Sequence, residues 1–156
     1  MGVDLREEKP KLNLYQKLVK IRESVPYLSK STKGYQYKYV SSEQALSAIR
    51  DAMNDHGVVF IPEVRVSRVK EFNDAKGKLQ FLTELDMKYT VVDADNPQDS
   101  FVVNWYAQGV DNAEKGVGKA LTYGEKYWVL KLFNIPTGNM DPDKFQGKDD
   151  DDDDIF

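Results

Sequence analysis

Residues 79–107 read LQFLTELDMKYTVVDADNPQDSFVVNWYA, and the fold is decided here. Leu85, Met87, Tyr89 and Val91 alternate with polar neighbours, the period of two that gives a strand one buried face. Phe101, Val103 and Trp105 repeat the pattern between Ser100 and Ala107. The linking segment DADNPQD carries the residue types that favour turns. Upstream, Val58 to Val69 is rich in β-branched residues and is joined to Leu79 through NDAKGK, a second turn sequence. Pro62 marks that run as an edge or bulged strand, because proline cannot donate to a ladder. Three strands joined by two turns predict an antiparallel meander.

Helices flank the meander on both sides. A long helix is predicted from about Asn112 to Phe133. Upstream, Ser41 and Gln44 are spaced as a capping box for a helix whose inner face holds Ala45, Leu46, Ile49 and Met53, with Gly57 placed to follow it. Tyr35, Tyr37 and Tyr39 alternate with Gln36, Lys38 and Val40 as a short strand, preceded by a basic polar loop, SKSTKG, at residues 29–34. Between Leu12 and Val25, the positions Leu14, Leu18, Ile21 and Val25 recur at helical spacing. That places Lys17, Lys20 and Arg22 elsewhere on the helix surface, and Pro26 closes the segment. The expected class is α+β, a three-stranded antiparallel meander plus a short N-terminal strand, with helices packed on the sheet. Residues 1–11 read as a flexible lead-in, 12–140 as one folded domain, and 141–156 as an acidic tail.

Charge is distributed unevenly. The 156-residue chain has a net charge of −4, but residues 141–156 hold eight Asp against two Lys, a net of −6. Residues 1–140 therefore carry 20 basic and 18 acidic side chains, a net of +2. A mildly basic body with an acidic appendage is compatible with a polyanionic partner. The absence of cysteine excludes a disulfide framework, a thiol nucleophile and a Cys-based zinc site, and fits an intracellular, cytoplasmic setting. No apolar run reaches the roughly 20 residues that span a bilayer, so no membrane association is expected.

Two segments could carry binding chemistry. On the last helix Lys115, Lys119, Thr122 and Lys126 fall within an arc of roughly 60° at 100° per residue. Val117, Ala120, Leu121, Gly124, Tyr127 and Trp128 lie on the other side as a core face, with Lys131 as its exception. The lysine row is either a solvated helix face or a stripe suited to a phosphate backbone. The second segment interleaves Lys30, Lys33 and Lys38 with Tyr35, Tyr37 and Tyr39. These rings either cover a core or stack on unpaired bases. Arg50, Arg65 and Arg68 could add charge nearby.

Sharper motifs fail on inspection. AEKGVGKA at residues 113–120 lacks the first glycine and the hydroxyl residue of a nucleotide-binding loop, having Ala113 and Ala120 there. Asp93, Asp95 and Asp99 resemble a calcium loop, yet Gln98 stands where glycine is needed and Asn104 where glutamate is, so the segment reads as a turn with solvating carboxylates. The one histidine, His56, ends a helix beside Gly57 and suggests neither a zinc site nor a catalytic triad. No cofactor, no metal and no catalytic residue is expected, and the chain reads as a non-enzyme.

The ordered set of residues from Trp105 to Asp143 resembles the ERF (essential recombination function) superfamily. The resemblance is carried by Gly109, Asp111, Lys119, Ala120, Thr122, Tyr123, Lys126, Tyr127, Ile135, Pro136, Thr137 and Asp141, and upstream by Asn13–Val25 and by Tyr37–Ser41 leading into a helix ending at Gly57-Val58. It implies a phage single-strand annealing protein with a β-β-β-α core, assembled as a homo-oligomeric ring or filament and working in recombination and repair without ATP. It also implies single-stranded DNA contacts at Lys30, Lys33, Tyr35, Tyr37, Lys38, Tyr39, Arg50, Lys115, Lys119, Thr122, Tyr123 and Lys126, with Asp111 capping the long helix.

The tail GKDDDDDDIF resembles the C-terminal tip of bacterial single-stranded-DNA-binding proteins, with Ile155 where that tip has proline. Asp151, Asp152, Asp153, Asp154, Ile155 and Phe156 would then engage host proteins that bind such tips. The tail could instead only solubilise the chain, or compete with DNA for the basic body. A non-catalytic oligomeric adaptor working through this tail is the alternative to an annealing protein.

Overall fold

The computed structural model describes residues 10–29, 32–33 and 38–138, with the strand residues 32, 33, 38 and 39 described by their backbone alone. The elements run α1 (Leu14–Glu23), β1 (Thr32–Lys33), β2 (Lys38–Tyr39), α2 (Ser42–His56), β3 (Val58–Asn73), β4 (Leu79–Asp93), β5 (Ser100–Asp111) and α3 (Gly116–Leu132). β3, β4 and β5 form an antiparallel meander in that order. The expected α+β class and meander hold, and α3 lies across β5 and β4 on one face of the sheet.

Local chemistry explains where the elements begin and end. Asn13 caps α1 by accepting from the Gln16 backbone N–H at 2.9 Å, while the Gln16 side chain returns the bond to the Asn13 N–H. Ser41 caps α2 through the Gln44 N–H at 3.1 Å, but the Gln44 amide donates to the carbonyl of Ser29. Gly57 ends α2 with φ at 68°, a left-handed conformation that glycine adopts without a Cβ penalty. Lys38–Tyr39 of the tyrosine-rich segment pairs with Thr32–Lys33, so residues read as loop contribute a strand of a separate two-stranded ribbon. Tyr35, Tyr37 and Lys30 lie outside the described residues, as do the lead-in through residue 9 and the acidic tail.

The core gathers on the α3 face. Leu85, Met87, Tyr89 and Val91 of β4 point into it and are buried, as the alternation predicted. Trp128 of α3 stacks on Tyr89 with ring centroids 4.3 Å apart and meets Phe60 and Trp105 edge-on. Burial pushes the Tyr89 phenol up to about 12, aided by the nearby Glu125 carboxylate. Close approach of α3 requires small residues. A Cβ on Gly109 would sit 2.6 Å from the Ala120 backbone nitrogen and 2.9 Å from the Gly116 carbonyl oxygen. One on Gly124 would sit 2.7 Å from the Ala107 Cβ, and one on Gly116 would overlap the Thr83 hydroxyl.

Two expectations are corrected. Lys17, read as a surface residue, is only 5% exposed. Its ammonium donates to Asp93 at 2.7 Å and Asp95 at 2.6 Å, tying α1 to the turn between β4 and β5. Two of the three carboxylates read as solvating therefore bind a lysine, and Asp93 is itself buried. Burial pulls the Lys17 pKa down, but the bonds to both aspartates outweigh that pull and raise it. The Lys17 bond holds Asp93 below the usual carboxylate range, with backbone N–H groups of Asp95 and Asn96 adding to the effect against desolvation.

The second correction concerns α3. Val117, Leu121 and Tyr127, read as core, are exposed, whereas Gly116, Ala120, Gly124 and Trp128 face the sheet and Lys126, Val129 and Leu130 are buried beside them. The row of small residues rotates the helix so that backbone, rather than large side chains, meets β5.

Gly109→Ala is expected to cost about 1–3 kcal/mol, because the clash is with backbone that cannot swing away; thermal denaturation of the full chain measures it. Lys17→Met is expected to lower the melting temperature at pH 7. A carboxylate with a depressed folded-state pKa stabilises above its unfolded value, and this is lost as pH falls through the folded value. The deficit of Lys17→Met relative to wild type is therefore expected to shrink below pH 3.8, which melts across an acid series would reveal.

Candidate nucleic-acid interface

The flank of α3 that carries Lys115, Lys119 and Thr122 does not face open solvent along its whole length. α2 packs against it, and the Ser42 hydroxyl donates to the Thr122 carbonyl at 2.8 Å across 80 residues of sequence. Ser42 stands three residues after Tyr39, the last residue of β2. The helix that follows the lysine- and tyrosine-rich segment is thus joined to the middle of α3.

Within the flank the lysines differ. Lys115, at the start of α3, is exposed. Lys119 is also exposed, yet its ammonium pairs with Asp111 at 2.7 Å and donates to the Val110 carbonyl at 3.2 Å. Lys126 departs from the expected surface stripe, being 9% exposed. Its ammonium lies 4.9 Å from the Tyr127 ring centre and 5.4 Å from that of Tyr123, within cation–π range. Burial pulls its pKa below the usual lysine value. Tyr123 is half-buried, Thr122 is exposed, and Arg50 is exposed on α2 two turns beyond Ser42. Arg68 is turned elsewhere: on the sheet face away from α3 it pairs with Asp86 at 3.0 Å and approaches Glu84 at 3.5 Å.

Asp111 does not cap α3 as expected, since the N-cap is Lys115 and has no side-chain cap bond; it orders the turn before the helix instead. Its carboxylate accepts from the Ala113 N–H at 2.8 Å and the Lys115 N–H at 3.3 Å, ordering the turn that enters α3. The Lys119 ammonium, together with these N–H groups, holds its pKa below the usual value. At the other end of α3 the Leu28 N–H donates to the Pro136 carbonyl at 3.1 Å, and Ile135 and Thr137 are buried. Asp141 lies outside the described residues. Among the described residues no group of three His, Cys, Asp or Glu side chains is placed to hold a metal ion, and no helix is long and apolar enough to cross a membrane.

Pairing of Asp111 with Lys119 was missed from sequence although both residues were singled out. The missing link was that Gly109 draws α3 onto β5, bringing the two side chains together. The capping box of α1 was legible in the spacing of Asn13 and Gln16 and was also missed.

These features define a class of protein: a small α+β domain whose last helix is laid on a meander through glycine and alanine and is latched to the final strand by an aspartate–lysine pair. The chain belongs to the ERF superfamily, whose family model matches residues 14–154. No curated protein and no solved structure matches it. Membership implies a part in phage recombination by single-strand annealing, and such annealing proteins are generally not catalysts.

If the aspartate–lysine latch is chiefly structural, Asp111→Ala should lower the melting temperature more than Lys119→Ala. The aspartate also satisfies two backbone N–H groups, whereas the lysine supplies one partner. Paired thermal melts decide this, and an equal or reversed order contradicts it.

Proposed function

We propose that the chain binds single-stranded DNA and anneals complementary strands without ATP, using the surface where the start of α2 meets the lysine flank of α3. The observation that supports this reading is the Ser42–Thr122 bond, because it joins the helix that follows the lysine- and tyrosine-rich segment to the lysine flank. Lys115 and Lys119 are the phosphate contacts, with Arg50, Thr122 and the Lys38–Tyr39 strand at the border. Lys30, Lys33, Tyr35 and Tyr37 are proposed as further contacts on the strength of the family resemblance. Lys126 sits beneath it, supporting Tyr123 and Tyr127 by packing rather than reaching a phosphate.

Holding a strand by its backbone leaves base edges free to find a complement, and pairing itself supplies the free energy. No hydrolysis is therefore required. Family membership supports homo-oligomeric rings or filaments, in which such surfaces would align along a strand, and a role in recombination and repair within the host cell. The acidic tail, through Asp151–Phe156, recruits host proteins that bind the tips of single-stranded-DNA-binding proteins.

An annealing assay tests the core of this proposal. Two complementary labelled oligonucleotides are mixed with purified full-length protein, without nucleotide, across a salt series. Pairing is expected to be accelerated, with the acceleration fading as salt rises. Lys115→Ala should weaken binding and flatten the log–log salt dependence by roughly 0.7, the increment for one single-strand phosphate contact. Protein that neither binds single strands at low salt nor speeds their pairing would sink the reading.

A further inference from the structure

The sheet ends in two outer strands, β3 and β5, and among the described residues neither has a strand on its far side. An open edge presents backbone donors and acceptors to any extended chain, and proteins guard such edges with charge, proline or a bulge. β3 carries all three. Glu63, Arg65, Arg68, Lys70 and Glu71 line it, Pro62 removes an N–H, and its register shifts between Val64 and Val66. β5 carries none of them. Ser100 to Val110 contains no charged residue and no proline, and its pairing with β4 runs from Ser100 to Asp111 without a break.

Two apolar side chains stand exposed on β5, Val102 at 55% and Tyr106 at 47%. Ala107 and Gly109 face α3, so by alternation both exposed residues project from the opposite, helix-free face. They lie symmetrically about Asn104. The rest of the strand has the same symmetry of character: Val103 and Trp105 one step out, Phe101 and Ala107 three steps out, Ser100 and Gln108 four steps out.

We infer that β5 pairs antiparallel with β5 of a second copy across a two-fold axis at Asn104, joining two meanders into a six-stranded sheet. Val102 then lies opposite the partner's Tyr106, and Tyr106 opposite the partner's Val102, giving two aromatic–β-branched cross-strand pairs. Phe101 lies opposite the partner's Ala107, large against small, and no like charges meet. Lys119 already occupies the Val110 carbonyl, which lies beyond the paired span. Such a contact is closed by its symmetry and yields a dimer. Growth to a ring or filament would need a second contact elsewhere. The pairing is independent of DNA.

Cysteine cross-linking of the full chain, which has no native cysteine, tests the register directly. A residue on a two-fold axis faces its own counterpart, and opposed antiparallel residues sit about 4.5–5.5 Å apart at Cα, within disulfide range. Oxidised N104C is expected to shift from the mass of one chain to that of two on a non-reducing gel, while R65C on the guarded edge does not. A mixture of V102C and Y106C should cross-link more completely than either variant alone, which distinguishes this register from a slipped one. As a second route, V102K should shift wild-type dimers toward monomers in sedimentation, with circular dichroism confirming that the variant is folded. N104C that cross-links no more than R65C, or wild type that sediments as a single chain, overturns the inference. Both measurements omit DNA, so failure of the annealing assay would leave them unaffected.

Discussion

Helix α3 lies so near the meander that Gly109, Gly116 and Gly124 have no room for a Cβ, and much of the remaining structure follows from that contact. A helix that packs through its backbone has little freedom to roll, because rotation would drive a larger side chain into the strand. The orientation in turn fixes both flanks. One flank, bearing Lys115, Lys119 and Thr122, meets the start of α2 at Thr122. The other, bearing Val117 and Leu121, is left exposed. Trp128, further along the same helix, fills the wider gap toward Tyr89, Phe60 and Trp105. Small residues at the start and a large one at the end wedge α3 against a twisted sheet.

α1 is held by a different kind of interaction. Lys17 reaches into the β4–β5 turn, where Asp93 is buried and also accepts the Asp95 backbone N–H at 2.9 Å. A buried ammonium tolerates few positions, since losing a carboxylate partner would leave an uncompensated charge. The same turn is joined to the α2–β3 junction by the Ala94 N–H, which donates to the Gly57 carbonyl at 2.7 Å. α1, α2 and the meander thus converge on one turn, at the opposite end of β5 from the Asp111–Lys119 latch. Each end of β5 is fixed by a lysine paired with aspartate.

Most of the architecture was legible in the sequence because it rests on period and turn chemistry. The meander follows from alternation at Leu85–Val91 and Phe101–Trp105, and Gly57 was identified as the end of α2. What failed were single positions on otherwise correct faces: Ala120, Gly124 and Trp128 are buried as expected, but Val117, Leu121 and Tyr127 are exposed and Lys17 is buried. Helical spacing puts Val117 and Leu121 on the same side as Ala120 and Gly124, and hydrophobicity favours the larger residues as core. Backbone contact narrowed the buried face to the small residues, as close approach rewards the absence of a side chain. Lys17 failed for the complementary reason: a lysine reads as surface unless its carboxylates are known, and Asp93 and Asp95 lie 76 and 78 residues away. Both errors concern long-range partners, which local periodicity does not encode.

The same distinction bears on the family's motif. Residues that carry the resemblance, Gly109, Asp111, Lys119 and Ala120, are engaged with one another in seating α3. A signature need not be a list of ligand contacts; it can record the geometry without which contacts would not be assembled. In the proposed interface Lys119 belongs to both descriptions, because an ammonium has three donors and the latch engages it with Asp111 and Val110 while the side chain stays exposed. A phosphate approaching this flank would meet a lysine already oriented by its aspartate, at lower entropic cost than a free side chain, although the aspartate charge also weakens its pull. Among the described residues no carboxylate is paired with Lys115. In the proposed interface the motif thus sets the position of the flank, and Lys115, just outside the motif, adds an exposed charge beside the latch.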